Sequence, residues 1–417
     1  MRSLKDSTLK NAVSEFGSPL YIFDIDEFRN RFNYLKKEFG SDISVNYCMK
    51  TNPFLTKISV DLTDRIEVCS YGEFLICRDL EIAPSKLLIS GVLKKYEDMV
   101  EIIKYGKSEA VYTAESVNQV KVMNDIATKM GIKLNVYFRL NCAQFGMDED
   151  TIISILRNDD YPAIEFYGIH YFTGTQKHKL KKHEKEIAKL DAFFERIYTE
   201  TGKEVLNLEY GTGFGVPYFV DQEDGITTPE MLFEFKQLLK NMNWNGHVSL
   251  EMGRALAYSC GYYAVIARDI KTSDGKNYCI TDGGIHQINY DGQLRGMYRP
   301  FMRTISMSNT EGLEEKHYSV YGSLCTTNDV LVADYESVEI KDGDIIVFER
   351  VGAYSVYEGM SLFLSHELPG ICFYSEEDGL VSVRKQQESY RLNTPHATEF
   401  NINLTPSIEM QVSTKEL

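Results

Sequence analysis

The segment "SVNYCMKTNP" carries an apolar run up to Lys50 and then turns on an Asn-Pro pair. A lysine at a strand tip is ordinarily a solvated charge. The reading changes when the other run ends are collected: Ser70, Gly91, Glu115, Arg139, His170, the glycine-rich "GTGFG" at 211–215, and Glu251 with Arg254 in "LEMGR". Placed around one opening, a lysine, two arginines, a histidine, a glycine-rich loop and a glutamate can hold an anionic cofactor and do amine chemistry. Glycines let backbone N–H groups approach phosphate oxygens, and Arg254 adds a charge-assisted contact. His170 in "GIHYFTGTQ" is by itself an ordinary core histidine; with the Thr173 hydroxyl three residues on, a flat imidazole over a cofactor ring becomes the better reading. Glu251 is costly to bury unpaired, and opposite a ring nitrogen it holds a proton there.

These residues need a scaffold that brings strand ends together. Strand-like runs fall near 44–50, 66–69, 86–91, 109–114, 133–140, 163–172, 205–210 and 247–252, with segments of helical period such as "AESVNQVKVMNDIATKM" between them. Eight strand–helix units predict a parallel (β/α)8 barrel, an open doubly wound sheet being the alternative. In a barrel the chemistry sits at the C-terminal rim. After about residue 268 the texture changes to short strands split by Gly, Asp and Asn turns, "NYCITDGG", "HYSVYGSL", "DIIVFERVGAY" and "GICFYSE" among them. The chain therefore divides into a barrel at 27–268 and an all-β domain, sandwich or barrel, built from 1–26 and 269–390. A tail at 391–417 has no clear period.

Composition limits the partners. With 417 residues, 43% hydrophobic, the chain can bury a large core, and its formal charge of −16 argues against nucleic acid. The lysine runs have balancing acids nearby, and "KHKLKKHEK" among them reads as a solvated helix face. Eight cysteines without CxxC spacing point to neither a zinc site nor a disulfide framework, so a reducing, cytoplasmic setting is expected, with no metal. The N-terminus lacks an apolar leader, and "ALAYSCGYYAVIA" at 255–267 is too short to span a bilayer. No membrane association is expected.

The motifs "YCMKTN", "RLN", "GIHYFTGTQ", "YGTGFG", "EMGR", "DGG", "GSLCTTND" and "VGAY", in this order across residues 18 to 375, resemble the pyridoxal 5′-phosphate decarboxylases of the alanine-racemase fold, also termed fold type III. These are diaminopimelate decarboxylase and its ornithine and arginine decarboxylase relatives. The resemblance implies pyridoxal 5′-phosphate as cofactor and a TIM barrel of the alanine-racemase type with a second all-β domain. It implies that Lys50 forms the Schiff base and that His170 stacks on the ring. Thr173, Gly211, Thr212, Gly213, Gly253 and Arg254 then surround the phosphate, and Tyr354 contacts phosphate or substrate. Glu251 faces the pyridine nitrogen, keeping it protonated so that electrons released with the carboxylate flow into the ring. Arg139 lies near the phenolic side. Cys325 reaches into a neighbouring subunit's site, which implies a head-to-tail homodimer. Either Cys325 or Lys50 returns the proton to carbon. For its part Lys50 needs a neutral nitrogen, favoured by desolvation and a nearby positive charge.

Departures from the family bear on substrate. Thr212 stands inside the usual triple glycine, and Met252 replaces the usual proline before Gly253. Thr326 supplies no charge where diaminopimelate decarboxylases generally have a glutamate; Arg299 matches an arginine that meets a distal carboxylate, and Arg303 replaces an aromatic hydroxyl four residues on. The motifs "GIHYFTGTQ", "GFGVPYF", "LCTTND" and "FLSH" are similar to the decarboxylases of siderophore and aminoglycoside assembly, which act on amino-acid units within larger molecules. Diaminopimelate decarboxylase itself, an amino-acid racemase of the same fold, and a non-catalytic homologue are the alternatives. Racemases generally set an arginine at the ring nitrogen, so Glu251 weighs against that alternative.

Overall fold

A computed structural model describes residues 3–222, 225, 227–292 and 295–395. The expected tail from residue 396 onward lies outside the described residues.

An N-terminal strand, β1 (Leu20–Asp24), precedes the barrel. The barrel strands are β2 (Ile43–Cys48), β3 (Ile66–Val68), β4 (Leu87–Ile89), β5 (Val111–Ala114), β6 (Leu134–Arg139), β7 (Ile164–Phe172), β8 (Asn207–Gly211) and β9 (His247–Met252). They pair in parallel and close through β2 and β9, where Asn46 lies opposite Glu251. Buried apolar side chains fill most of their length, as continuous apolar runs require when helices cover the outer face. Several helices begin within two residues of a strand end on a capping side chain: Ser70 Oγ accepts from Glu73 N at 3.1 Å, and Ser116 Oγ from Gln119 N at 3.2 Å. These caps fix where the chain leaves the rim, so Cys69 and Glu115 stay at the mouth.

The second layer is a nine-stranded mixed sheet. It comprises β1 with β10 (Gly261–Ser273), β11 (Lys276–Thr281), β12 (Met302–Ile305), β13 (Glu315–Tyr321), β14 (Val330–Val338), β15 (Ile345–Glu349), β16 (Gly370–Ser375) and β17 (Gly379–Arg384). β1 lies between β10, antiparallel, and β16, parallel. The sheet begins earlier than the break at 268 read from the sequence: the first residues of β10 pair with β1 and β15, not with the barrel. An apolar strand satisfies either core, so hydrophobicity alone does not place this boundary.

The loop after β15 brings the sheet layer to the barrel mouth. Tyr354 N donates to Thr51 O at 2.8 Å, and Asn52 Nδ2 donates to Gly352 O at 3.0 Å. A Cβ on Gly261 would stand 2.2 Å from Gly352 N, so the "VGAY" loop packs on bare backbone. That contact sets Tyr354 beside the turn carrying Lys50. Among the described residues no helix is long and apolar enough to cross a membrane.

Candidate active site

A cavity of about 500 Å³ opens at the C-terminal ends of the barrel strands. Lys50 enters it from a one-turn 3-10 segment, Met49–Thr51, directly after β2. Its Nζ lies 2.5 Å from Glu67 Oε2 and 3.4 Å from Cys69 Sγ, and the Cys69 thiol donates to Glu67 Oε1 at 3.0 Å. Burial pulls the Lys50 amine down, but Cys69 and the Glu67 carboxylate more than offset it and hold the ammonium well above its ordinary range. Burial alone would raise Glu67; the Lys50 ammonium instead lowers its carboxyl to about 2. Some 39% of the Lys50 side chain remains open to the cavity, so the pair is partly screened. The expected positive neighbour is thus a carboxylate: β3 turns Glu67 inward at the height of the lysine, and in this state Lys50 is an ammonium.

Across the mouth, His170 Nε2 and Glu251 Oε2 are 3.1 Å apart, both residues buried. His170 Nδ1 and Glu251 Oε1 are buried without a partner among the described residues. One layer lower on β8, Glu209 is fully buried and accepts from Asn46 Nδ2 at 2.7 Å. Burial, reinforced by Glu251, pushes its carboxyl well above the usual range. On the β5 and β6 side, Arg139 Nη1 donates to Glu115 Oε1 at 2.6 Å, and its guanidinium lies 4.8 Å from the Phe145 ring centroid. Cys48, Glu67 and Glu251 place one donor atom each within 4.8 Å of one another, but Lys50 engages Glu67 and His170 engages Glu251.

The remaining wall is built for an anion. Gly211, Thr212, Gly213, Gly253 and Arg254 all line the cavity. Gly213 has φ +56°, and a Cβ there would stand 2.0 Å from Gly174 O, so only glycine lets these backbones meet. Arg254 is clamped from three sides: Nε donates to Thr175 Oγ1 at 3.3 Å, Nη1 to the Tyr218 hydroxyl at 2.6 Å, and Nη2 lies 3.3 Å from Asp291 Oδ1. Its guanidinium sits 4.5 Å from the Tyr354 ring centroid. A flat ring flanked by His170 and a phosphate over the glycines fit this donor set: among the described residues one imidazole nitrogen and one carboxylate oxygen lack partners, and bare backbone lines the cationic end.

Five residues selected from sequence lie elsewhere. Thr173 is drawn out of the cavity wall by Glu186, to which its hydroxyl donates at 2.5 Å; Thr175, two residues on, takes the place by Arg254. Arg303 pairs with Glu349 and with Asp6, at 2.9 Å, and donates to Leu4 O, which fastens the N-terminal segment to the sheet rather than facing the cavity. Arg299 is exposed, its carbonyl accepting from Val220 N at 3.0 Å, and does not line the cavity. Cys325 and Thr326 occupy the turn between β13 and β14, Cys325 exposed, outside the cavity wall of their own chain. Conversely, sequence reading passed over Glu67, Thr175, Tyr218 and Glu358, all but Tyr218 lining the cavity. Only Glu67 left a signal, an acid inside the apolar run "RIEVCS". A wider opening of about 720 Å³ at the N-terminal rim, beside Trp244, contains no lysine, histidine or cysteine.

A family model described as "Pyridoxal-dependent decarboxylase, C-terminal sheet domain" matches residues 20–352. The chain is 24% identical over 408 residues to diaminopimelate decarboxylase of Aquifex aeolicus, covering 92% of each. It is 24% identical over 419 residues to L-glutamyl-(BtrI acyl-carrier protein) decarboxylase of Niallia circulans, covering 94% of each. Identity is 25% over 386 residues to 2-((L-alanin-3-ylcarbamoyl)methyl)-2-hydroxybutanedioate decarboxylase of Staphylococcus aureus, with 85% of this chain and 94% of that one covered. The fold matches crystalline diaminopimelate decarboxylase from M. jannaschii in complex with L-lysine at a TM-score of 0.80, with 21% identity and 92% of both chains covered.

Proposed function

From its membership of the pyridoxal-dependent decarboxylase family, which makes the chain a pyridoxal 5′-phosphate-dependent carboxy-lyase, we propose that it removes the α-carboxylate from an amino-acid unit within a larger biosynthetic intermediate. The observation that carries the site assignment is one cavity holding Lys50, the His170–Glu251 pair and the Arg254 clamp. When bound, the cofactor supplies an aldehyde that joins an amine and a ring that accepts the electron pair left by departing CO2.

In this reading Lys50 is the amine that holds the cofactor covalently. Arg254, Gly211, Thr212, Gly213 and Gly253 hold its phosphate, with Thr175 and Tyr218 orienting the guanidinium. His170 covers one face of the ring. Glu251 Oε1 holds a proton on the ring nitrogen, and Arg139 is fixed by Glu115 on the phenolic side. Glu67 holds Lys50 as an ammonium at rest, and Lys50 must shed that proton before its nitrogen can act as a nucleophile.

The working unit in this proposal is a head-to-tail homodimer in a reducing, cytoplasmic setting. The exposed turn holding Cys325 and Thr326 enters the neighbouring site, where Cys325 or Lys50 protonates the product carbon. All eight cysteines are unpaired thiols. Support for a conjugated substrate comes from the Niallia and Staphylococcus relatives, whose substrates are amino-acid units in larger molecules. Glu358 at the cavity wall favours a second reading, a free substrate with a distal ammonium such as diaminopimelate. CO2 release across free diamino acids and amino-acid conjugates decides between them. Borohydride reduction followed by peptide mapping should leave the cofactor's mass on Lys50, and a label on another lysine refutes the site.

A further inference from the structure

The lysine run "KHKLKKHEK" does not behave as a balanced solvated face. It spans the loop after β7 and the start of the helix Leu180–Thr201. Lys179, Lys181, Lys182 and Lys185 are exposed, and among the described residues none has a carboxylate within ion-pair distance. Of the two acids in and beside the run, Glu186 is turned inward by Lys177 at 2.8 Å and by the Thr173 and Tyr210 hydroxyls at 2.5 Å, while Glu184 is exposed.

This arrangement is locally unfavourable. The first turn has no acid, and Lys179 gives no side-chain cap. Cations there meet the positive end of the helix dipole. The Lys181–Lys185 and Lys185–Lys189 spacings add i,i+4 repulsion. In a chain of net charge −16 such a local conflict marks the patch as a candidate binding surface.

The position indicates the use. The same loop carries Thr175 into the cavity wall, and Lys177 N donates to Gly213 O at 2.8 Å, so the cations begin next to the glycine cradle. Past Gly91, on the β4 loop, the lip is apolar and exposed, with Val92 at 55% and Leu93 at 73%. From Lys179 to Lys189 a helix extends about 15 Å, longer than an amino acid or a small conjugate. Screening over about 8 Å confines attraction for an anion to this patch, since the rest of the acidic surface repels it.

Resting on the reading above, in which the substrate is an amino-acid unit of a larger molecule, we propose that Lys179, Lys181, Lys182 and Lys185 dock a small acidic carrier protein that presents the amino acid on a flexible arm. The arm threads the mouth between this patch and the Val92–Leu93 lip, and the 500 Å³ cavity takes only the amino-acid end.

The test uses holoenzyme and the triple variant K181E/K182E/K185E, whose new acids suit a helix start and leave the fold intact. Two probes are compared: an acyl carrier protein loaded with L-glutamate on its phosphopantetheine thiol, and L-glutamyl pantetheine thioester free in solution. The variant should lose at least ~10-fold in kcat/KM on the carrier-bound probe and stay within about twofold on the free thioester, and the native rate on the carrier should fall with salt. Equal losses on both probes, or salt-independent carrier kinetics, overturn the proposal. If neither probe releases CO2, the substrate reading fails by itself. Docking is then decided by fluorescence anisotropy of labelled carrier protein, where absence of salt-sensitive binding, or equally tight binding of heparin, overturns it. A shift of the variant's oligomeric state in gel filtration assigns the patch to a contact between copies and likewise overturns it.

Discussion

Lys50 and Glu67, from neighbouring strands of the barrel, meet at 2.5 Å, and the carboxylate secures the amine as an ammonium. The resting geometry therefore guards the nucleophile instead of activating it. Glu67→Gln should speed cofactor capture by ~10-fold at pH 7.5, because a larger share of Lys50 is then neutral. Stopped-flow absorbance during reconstitution reads this directly, and an unchanged rate refutes the guarding role. The sign for stability runs the other way. Glu67 ionises near 4.3 when unfolded and at about 2 when folded, so the pair's contribution is present above pH ~4.3 and fades as pH falls toward 2.

Glu251→Gln should retain pyridoxal phosphate while kcat drops by ~10²–10³, the scale for removing one preorganised charge from a reacting centre. Steady-state CO2 release beside cofactor absorbance separates the two effects. Unchanged turnover means that the ring nitrogen has another partner.

Glu209→Gln tests the proton in the barrel interior. Glu209 is raised, so the native state holds a proton that the unfolded chain gives up above pH ~4.3, and the native protein loses stability as pH rises. The amide keeps the Asn46 contact and has nothing to titrate. Relative to native, the variant should therefore gain in urea midpoint between pH 5 and pH 8. A difference between variant and native that stays constant over that interval indicates an ionised Glu209.

Arg303→Ala should cost ~1–2 kcal/mol of stability through Glu349, Asp6 and the Leu4 carbonyl, discounted because the guanidinium is 25% exposed. KM for any carboxylate-bearing substrate should stay within about twofold. A large rise in KM would restore this arginine to substrate recognition.

Mixing inactive Lys50→Ala with inactive Cys325→Ala should regenerate about a quarter of the native sites if the exposed Cys325 turn completes a neighbour's cavity. Half of the dimers are then mixed, and each has one site with both residues. No recovered activity removes the shared site.

The strand ends were readable because parallel barrels bury continuous apolar runs and hold their polar residues where the runs stop; Lys50, His170 and Glu251 all obey this. Glu67 breaks the rule inside a strand of three residues, so its charge looked incidental. Thr173 and Thr175 are equal in composition, and Gly174 at φ +141° decides which hydroxyl faces Arg254. Arg303 finds Asp6 across 297 positions of sequence, a distance over which local pattern carries no information. The start of the sheet at Gly261 was lost for a related reason: burial looks alike in either core.

The placement of β1 also sets an order of assembly. Leu20 pairs with Gly370, 350 residues further along the chain, whereas the barrel closes on the pair of Ile43 with Val248. During synthesis the eight parallel strands can close while β1 still lacks one of its two neighbours. A nascent chain then carries Lys50, His170 and Glu251 on a finished barrel, before the loop bearing Tyr354 and the strand beyond it have emerged. Long-range pairings of this kind form late and slowly. Ribosome-bound intermediates should thus expose one flank of β1 until β16 is made, and there a chaperone would find its grip.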